Sequence, residues 1–187
     1  GINRRLMALV LAGVAALGII FIVIAPHRIE RILTFINHSS STEDAMGYHI
    51  DQALIAVGSG GLTGKGLGQS IQAFGYLPEA ANDSIFAILV EELGFLRSSL
   101  VLVLIGAFAY RGYQIAHRAL DVFARLVAFG ITTMFLFQAI INVGAIMGLV
   151  PLTGIPLPFI SYGGTSLVTS LLAVGIMVSI SRNKYVT

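Results

Sequence analysis

The chain has 187 residues, of which 56% are hydrophobic and 11% are charged. Soluble domains carry about 25% charged residues, so this composition indicates a membrane protein rather than a soluble domain. The formal net charge of +2, without any run of basic residues, gives no basis for binding nucleic acid. The sequence contains no cysteine, which excludes disulfides and thiolate metal sites.

Four apolar stretches are candidate membrane-spanning helices, because crossing the hydrocarbon layer takes about 20 residues of helix. The first contains neither a charge nor a proline, and the second begins beside a group of carboxylates. The stretches are residues 6–25, 84–110, 126–149 and 160–180. We therefore predict a single all-α polytopic membrane domain over residues 1–187, with about four transmembrane helices.

Two segments between the predicted spans differ from them in composition. Residues 26–82 are rich in polar residues and glycine, which predicts a large loop after the first span. The segment VPLTGIPLPF contains Pro151, Pro156 and Pro158, which break any helix between the third and fourth spans. Because lipid excludes unsatisfied backbone groups, this proline loop is predicted to be re-entrant and packed within protein.

Lys and Arg are unequally divided between the two predicted sides of the membrane. One side carries seven: Arg4, Arg5, Arg111, Arg118, Arg125, Arg182 and Lys184. The other side carries three, Arg28, Arg31 and Lys65, and Arg97 lies within a span. Since positive residues stay in the cytoplasm, both termini are predicted to be cytoplasmic, and loop 26–82 and the proline loop to face outward.

The stretch YLPEAANDSIFAILVEELGF, residues 76–95, carries four carboxylates at the start of the second predicted span: Glu79, Asp83, Glu91 and Glu92. A charge at the bilayer centre costs about 2.5–3.5 kcal/mol, so each of them needs a reason. Glu91 and Glu92 could pair with a basic residue on a neighbouring helix and hold the bundle. Asp83 lies at the outer end, where it reaches water. On the third span, Gln138 and Asn142 are predicted to form interhelical hydrogen bonds.

The glycine-rich segment GSGGLTGKGLGQS, residues 58–70, does not match a nucleotide-binding loop. Ser59 stands where the Walker pattern needs its first glycine, and Gly66 stands where Ser or Thr follows the lysine. Two alternatives remain for this segment. It is either a plain connection, or a flexible loop whose backbone N–H groups meet an anion while Lys65 supplies positive charge.

Two long stretches of the sequence carry a family resemblance. MGYHIDQALIAVGSGGLTGKGLGQSIQAFGYLPEAANDSIFAILVEELGF resembles the large outer loop and following helix of the SEDS family, the FtsW, RodA and SpoVE proteins of bacterial cell-wall synthesis. INVGAIMGLVPLTGIPLPFISYGGTSLVTSLLAVGIMVSISR resembles the last two helices of that family and the loop between them. The chain as a whole resembles the C-terminal half of the family's fold.

The resemblance implies a peptidoglycan glycosyltransferase that polymerises lipid II at the outer face of the bacterial cytoplasmic membrane, in cell division or elongation. It also implies a class B penicillin-binding protein as partner. The aspartate that the family requires corresponds to Asp83, a candidate general base. The leaving lipid pyrophosphate needs positive charge or a divalent cation. The residues assigned to the substrate are Lys65, Arg28, Arg31, Gly64, Gly66 and Glu79. Glu79 either places a metal, holds the loop or is a solvated surface residue.

The sequence departs from the family pattern around this aspartate. The family usually has His-Thr or His-Asn before the aspartate and Phe after it, whereas Ala81 and Asn82 precede Asp83 here and Ser84 follows it. Arg97 stands near a usual glycine. Three other functions remain open at this point: a lipid II flippase, an ion-coupled transporter built on broken helices, and a non-catalytic scaffold for a penicillin-binding protein.

Overall fold

The computed structural model describes residues 4–24, 35 and 45–182. Within those ranges every regular element is helical and there is no β-strand, which confirms the all-α prediction. The α-helices, in chain order, are α1 (Arg4–Ile24), α2 (Ala45–Gly60), α3 (Ile85–Arg118), α4 (Val122–Ile146) and α5 (Gly164–Arg182). A short 3-10 helix, Gln72–Phe74, lies between α2 and α3.

The chain divides into two compact units, Gly1–Tyr48 and His49–Thr187. In the first unit, α1 is a helix of 21 residues whose apolar side chains, such as Leu9 and Phe21, are largely exposed. The second unit contains α3, α4, α5 and most of α2, and all of the contacts described below lie within it.

Two helices of the second unit are long and apolar enough to cross a membrane, α4 with 25 residues and α5 with 19. They overlap the predicted spans 126–149 and 160–180. α4 begins earlier than predicted because Asp121 caps it, its carboxylate accepting a hydrogen bond from Ala124 N at 3.0 Å. It ends at Ile146, and Gly148 then takes a positive φ of 68°.

The predicted loop 26–82 contains a helix that its composition did not indicate. α2 covers 16 residues of this segment. Ala53 and Ala56, one helical turn apart, are fully buried and belong to the same apolar core as Phe86 and Val90 of α3. One face of α2 therefore contributes to this core, and the residues Gly58, Ser59 and Gly60, which suggested a loop, form the end of the helix.

α3 was predicted as a span over residues 84–110, and the structure differs in two ways. The helix continues to Arg118, and it is interrupted at Gly94, whose φ of 81° and ψ of 164° are not helical. Backbone hydrogen bonds to the glycine-rich segment connect the two limbs of α3, one on each side of Gly94.

The proline segment between α4 and α5 contains no helix, as its three prolines predicted. Leu157 and Pro158 are buried, and Leu157 N donates to Ser161 Oγ at 2.7 Å. Leu157 belongs to the core formed by α2, α3 and α4. The segment is therefore packed against the helices, and its re-entrant course in a membrane stays a prediction.

Candidate functional site

Asp83 lies at the end of a turn that leads directly into α3. The carbonyl of Glu79 accepts from Asn82 N at 2.9 Å and from Ser84 N at 3.4 Å, and the Asn82 amide donates to the Glu79 carboxylate. Glu79 itself is exposed and has a left-handed φ of 49°. Glu79 therefore closes the turn, Ser84 is the N-cap of α3, and Asp83 between them is half-buried.

Three separate elements attach this turn to the rest of the unit. From α2, His49 Nε2 lies 2.6 Å from Ser84 Oγ. From α4, Asn142 Nδ2 donates to the backbone carbonyl of Asp83 at 2.7 Å. From the segment before α5, Tyr162 N donates to Ala81 O at 2.8 Å. The backbone around Asp83 is thus fixed from several directions.

The glycine-rich segment inserts into the break in α3. At the break, two carbonyls and two N–H groups lose their helical partners, and the segment supplies a partner for each. The four bonds are Lys65 N to Glu91 O at 3.0 Å, Gly66 N to Glu92 O at 2.9 Å, Phe95 N to Gly61 O at 2.9 Å and Leu96 N to Leu62 O at 3.3 Å. The segment therefore replaces the missing turn of α3 with its own backbone.

Glycine is required where these two backbones meet. A Cβ on Gly94 would overlap Gly64 N and the Thr63 carbonyl carbon, and it would lie 2.5 Å from Leu62 O. A Cβ on Gly64 would overlap the backbone of residues 92–94 in the same way. Gly64 N also donates to Gly60 O at 2.9 Å. The N–H groups of residues 64–66 are all bound to the chain's own carbonyls, so in this conformation they do not offer the anion site that the sequence suggested.

Glu91 lies beside the same break and is fully buried. Its Oε1 accepts from Lys65 Nζ at 2.7 Å, and the Lys65 side chain is 29% exposed. Four further donors bind this carboxylate: Ser70 Oγ at 2.5 Å, and Ser59 Oγ, Ile71 N and Gln72 N at 3.3 Å each. Glu91 does pair with a basic residue, but that residue lies on the loop after α2 rather than on a neighbouring helix.

The remaining predicted residues are placed as follows. Arg28 and Arg31 lie outside the described residues. Glu92 is half-exposed and Arg97 is exposed. Across residues 4–24 and 45–182, no group of three or more His, Asp or Glu side chains is arranged to hold a metal ion.

The sequence made Asp83 a candidate site residue, and it did not predict the residues that fix the position of Asp83. Asn142 was expected to bond to a neighbouring helix, and it bonds instead to the backbone of Asp83 and to Ile155 O, at 2.8 Å. The signal in the sequence was an amide side chain on an apolar helix, because such a side chain needs hydrogen-bond partners. His49 and Tyr162 had no comparable signal, because the contact of His49 spans 35 residues of sequence and that of Tyr162 runs through its backbone N–H.

Comparison with protein families and curated proteins gives a consistent result. The family model described as "Cell cycle protein", covering FtsW, RodA and SpoVE, matches residues 1–186. Stage V sporulation protein E of Bacillus subtilis is 51% identical over 160 residues, which are 84% of this chain and 43% of that protein. The probable peptidoglycan glycosyltransferase FtsW of B. subtilis is 41% identical over 190 residues, covering 96% of this chain and 46% of the relative. The chain thus spans less than half the length of these relatives.

Two solved structures share the fold. One is a peptidoglycan synthase complex described as coordinating polymerization and crosslinking, with a TM-score of 0.68 and 24% identity over 100% of this chain and 52% of the matched chain. The other is a mutant of the rod shape determining protein RodA of Thermus thermophilus, with a TM-score of 0.56 and 30% identity over 72% of this chain and 41% of that one.

Proposed function

Since the chain belongs to the family of FtsW, RodA and SpoVE proteins, we propose that the protein to which it belongs is a peptidoglycan glycosyltransferase. It polymerises lipid II into glycan strands at the outer face of the bacterial cytoplasmic membrane. The support is the 41% identity to a relative named probable peptidoglycan glycosyltransferase and, above all, the position of Asp83 in a turn attached to α2, α4 and the segment before α5.

The proposed membrane arrangement follows from the sequence. The chain is an all-helical membrane protein with two helices of spanning length in the described part. We propose four spans, with both termini in the cytoplasm and with the Asp83 turn and the proline loop outside. The proposed partner is a class B penicillin-binding protein, because a solved complex with the same fold combines polymerization with crosslinking.

In the proposed reaction, the hydroxyl of an acceptor sugar attacks the donor sugar carbon that carries the lipid pyrophosphate. A new C–O bond forms, the bond to the pyrophosphate breaks, and the hydroxyl proton passes to the Asp83 carboxylate. Asp83 would act as a general base, a role that is worth about 10²–10⁴-fold in rate.

The leaving pyrophosphate needs compensating positive charge or a divalent cation. Lys65 was one candidate, but its ammonium group already neutralises buried Glu91 at 2.7 Å. Arg28 and Arg31 stay the sequence-based candidates for that charge. Lys65, Gly64 and Gly66 then contribute by supporting the break in α3, and Glu79 contributes by closing the turn before Asp83.

The test is polymerisation of purified lipid II by the full-length protein with its penicillin-binding partner. We expect Asp83→Asn to lower turnover about 10²–10⁴-fold, because the amide cannot accept the proton. Asp51→Asn is the matched control, since Asp51 is an exposed carboxylate on α2. Equal turnover of Asp83→Asn and wild type would refute the proposal. Transport of lipid II without polymerisation would identify a flippase, and inactivity of the folded wild-type complex would favour a scaffold.

A further inference from the structure

The Asp83 turn is connected to the proline loop through one side chain of α4. Asn142 is 2% exposed, and its amide nitrogen donates to Asp83 O at 2.7 Å and to Ile155 O at 2.8 Å. Both partners are backbone carbonyls, which only accept hydrogen bonds, so the contacting atom must be the amide nitrogen. One NH₂ group thus uses both of its hydrogens to bridge two segments that are far apart in sequence.

The Asn142 bridge gives the Asp83 carbonyl a hydrogen-bond donor that helix α3 does not provide. Ser84 is the N-cap of α3, and its carbonyl accepts from Ala87 N at 3.0 Å within the first turn. The Asp83 carbonyl lies one residue earlier, outside the helical pattern, and must therefore find a partner elsewhere. Asn142 is that partner. The amide oxygen of Asn142 is buried without a hydrogen bond among the described residues, so its two donated bonds are what orient this side chain.

From this geometry we propose that Asn142 is a positioning residue for Asp83. Its two hydrogen bonds fix the position of the Asp83 backbone relative to the proline loop. The inference rests on the proposed function, because it assumes that Asp83 is the base. Asn142 acts through the Asp83 carbonyl and does not need to contact the substrate. Loss of its two donors frees the turn at the residue that carries the carboxylate, and a displacement of about 1 Å at a reacting group can cost about 10²-fold in rate.

The test uses the full-length protein with its penicillin-binding partner and lipid II. Asn142→Leu has nearly the same size as the native residue and removes both donors. We expect kcat to fall about 10–100-fold while KM changes less than about two-fold, because the interaction supports the transition state rather than substrate binding. Gln138→Leu is the matched control. Gln138 lies one turn earlier on α4, is half-buried, and is not among the residues that donate to the Asp83 turn in the described part.

A double-mutant cycle separates positioning from a general structural role. If Asn142 acts through Asp83, adding Asn142→Leu to Asp83→Asn should change the residual rate by less than about two-fold. Two outcomes would overturn this inference and leave the proposed function standing. In one, Asn142→Leu lowers kcat equally in the wild-type protein and in Asp83→Asn. In the other, Asn142→Leu keeps the wild-type kcat while Asp83→Asn is inactive. Full activity of Asp83→Asn would remove both. If leucine is not accommodated, Asn142→Ala removes the same donors without adding volume and gives the same readout.

Discussion

Replacing Gly94 by alanine should separate the two limbs of α3 from the glycine-rich segment. Gly94 has φ 81° and ψ 164°, a region used almost only by glycine, and any other residue there costs about 1–3 kcal/mol. The new Cβ would also overlap backbone atoms of Gly64 and Thr63 and lie 2.5 Å from Leu62 O. Backbone atoms cannot rotate away as a flexible side chain can, so the segment itself has to move.

The magnitude follows from what that movement breaks. Four backbone hydrogen bonds cross the break, and a net contribution of about 0.5–1.5 kcal/mol each means that losing two costs about 1–3 kcal/mol. Added to the conformational cost at Gly94, the free energy of unfolding should fall by about 2–6 kcal/mol. Gly106→Ala is the control, because Gly106 lies in the second limb of α3 with nothing within 4 Å of its Cβ position. It should be neutral or stabilise by about 0.5–1 kcal/mol.

Thermal unfolding of the full-length protein in detergent, with each variant beside wild type, measures the difference. Hydrogen exchange locates it: the amides of Lys65 and Gly66 should lose protection in Gly94→Ala and keep it in Gly106→Ala, because these amides bond across the break. Equal melting temperatures for the two variants, with unchanged protection of the two amides, would show that the glycine-rich segment does not stabilise the break in α3.

Two other substitutions test the packing of the same unit. Lys65→Met leaves Glu91 buried without its cation and should cost about 3 kcal/mol, the lower end for a broken buried pair because Lys65 is 29% exposed. Adding Glu91→Gln should recover part of that loss in thermal unfolding, and strictly additive losses would contradict the pairing. Gly112→Ala should cost about 1–3 kcal/mol by overpacking, because its Cβ would overlap Thr132 Oγ1 and lie 2.8 Å from Thr132 Cγ2. Adding Thr132→Ala should restore stability, and Gly130→Ala, with open space at its Cβ, should cost nothing comparable.

The helices α4 and α5 could be predicted from sequence because their apolar runs are long enough to specify a helix without help from the rest of the chain. Their ends could not, since they depend on single residues. The cap by Asp121 begins α4 four residues before the predicted start. α5 begins four residues after its predicted start, because residues 160–163 stay in the proline loop, held in part by Ser161.

The break in α3 and the helix α2 were hidden from sequence reasoning for a shared physical reason. A glycine inside an apolar pattern costs about 1 kcal/mol in a helix and does not by itself predict a break. Gly94 lies against the backbone of Gly64, and the segment that carries Gly64 follows α2, whose buried Ala53 and Ala56 share one apolar core with α3. Each feature needs the other, so neither can be read from its own stretch of sequence.

The candidate site shows the same limit. The family pattern around Asp83 made this aspartate the candidate base. The contacts that hold its turn join His49 to Ser84 and Asn142 to Asp83, which are 35 and 59 positions apart. Such pairs carry no local signature. A half-buried carboxylate before a helix can be recognised from one segment, whereas the residues that orient it come from α2, α4 and the segment before α5.

Asp83 and Glu91 show why carboxylates close together in sequence have different roles. Glu91 is fully buried and has five donors within hydrogen-bond distance, which is more than the roughly four lone-pair positions of a carboxylate. Its lone pairs are thus occupied by the chain's own donors, and removing it would leave the Ser70 hydroxyl and the N–H groups of Ile71 and Gln72 without this acceptor. Asp83 is half-buried, and Asn142 holds it through its backbone carbonyl rather than through its carboxylate. Substitution of Glu91 should therefore reduce the amount of folded protein, whereas substitution of Asp83 should reduce the turnover of protein that has folded.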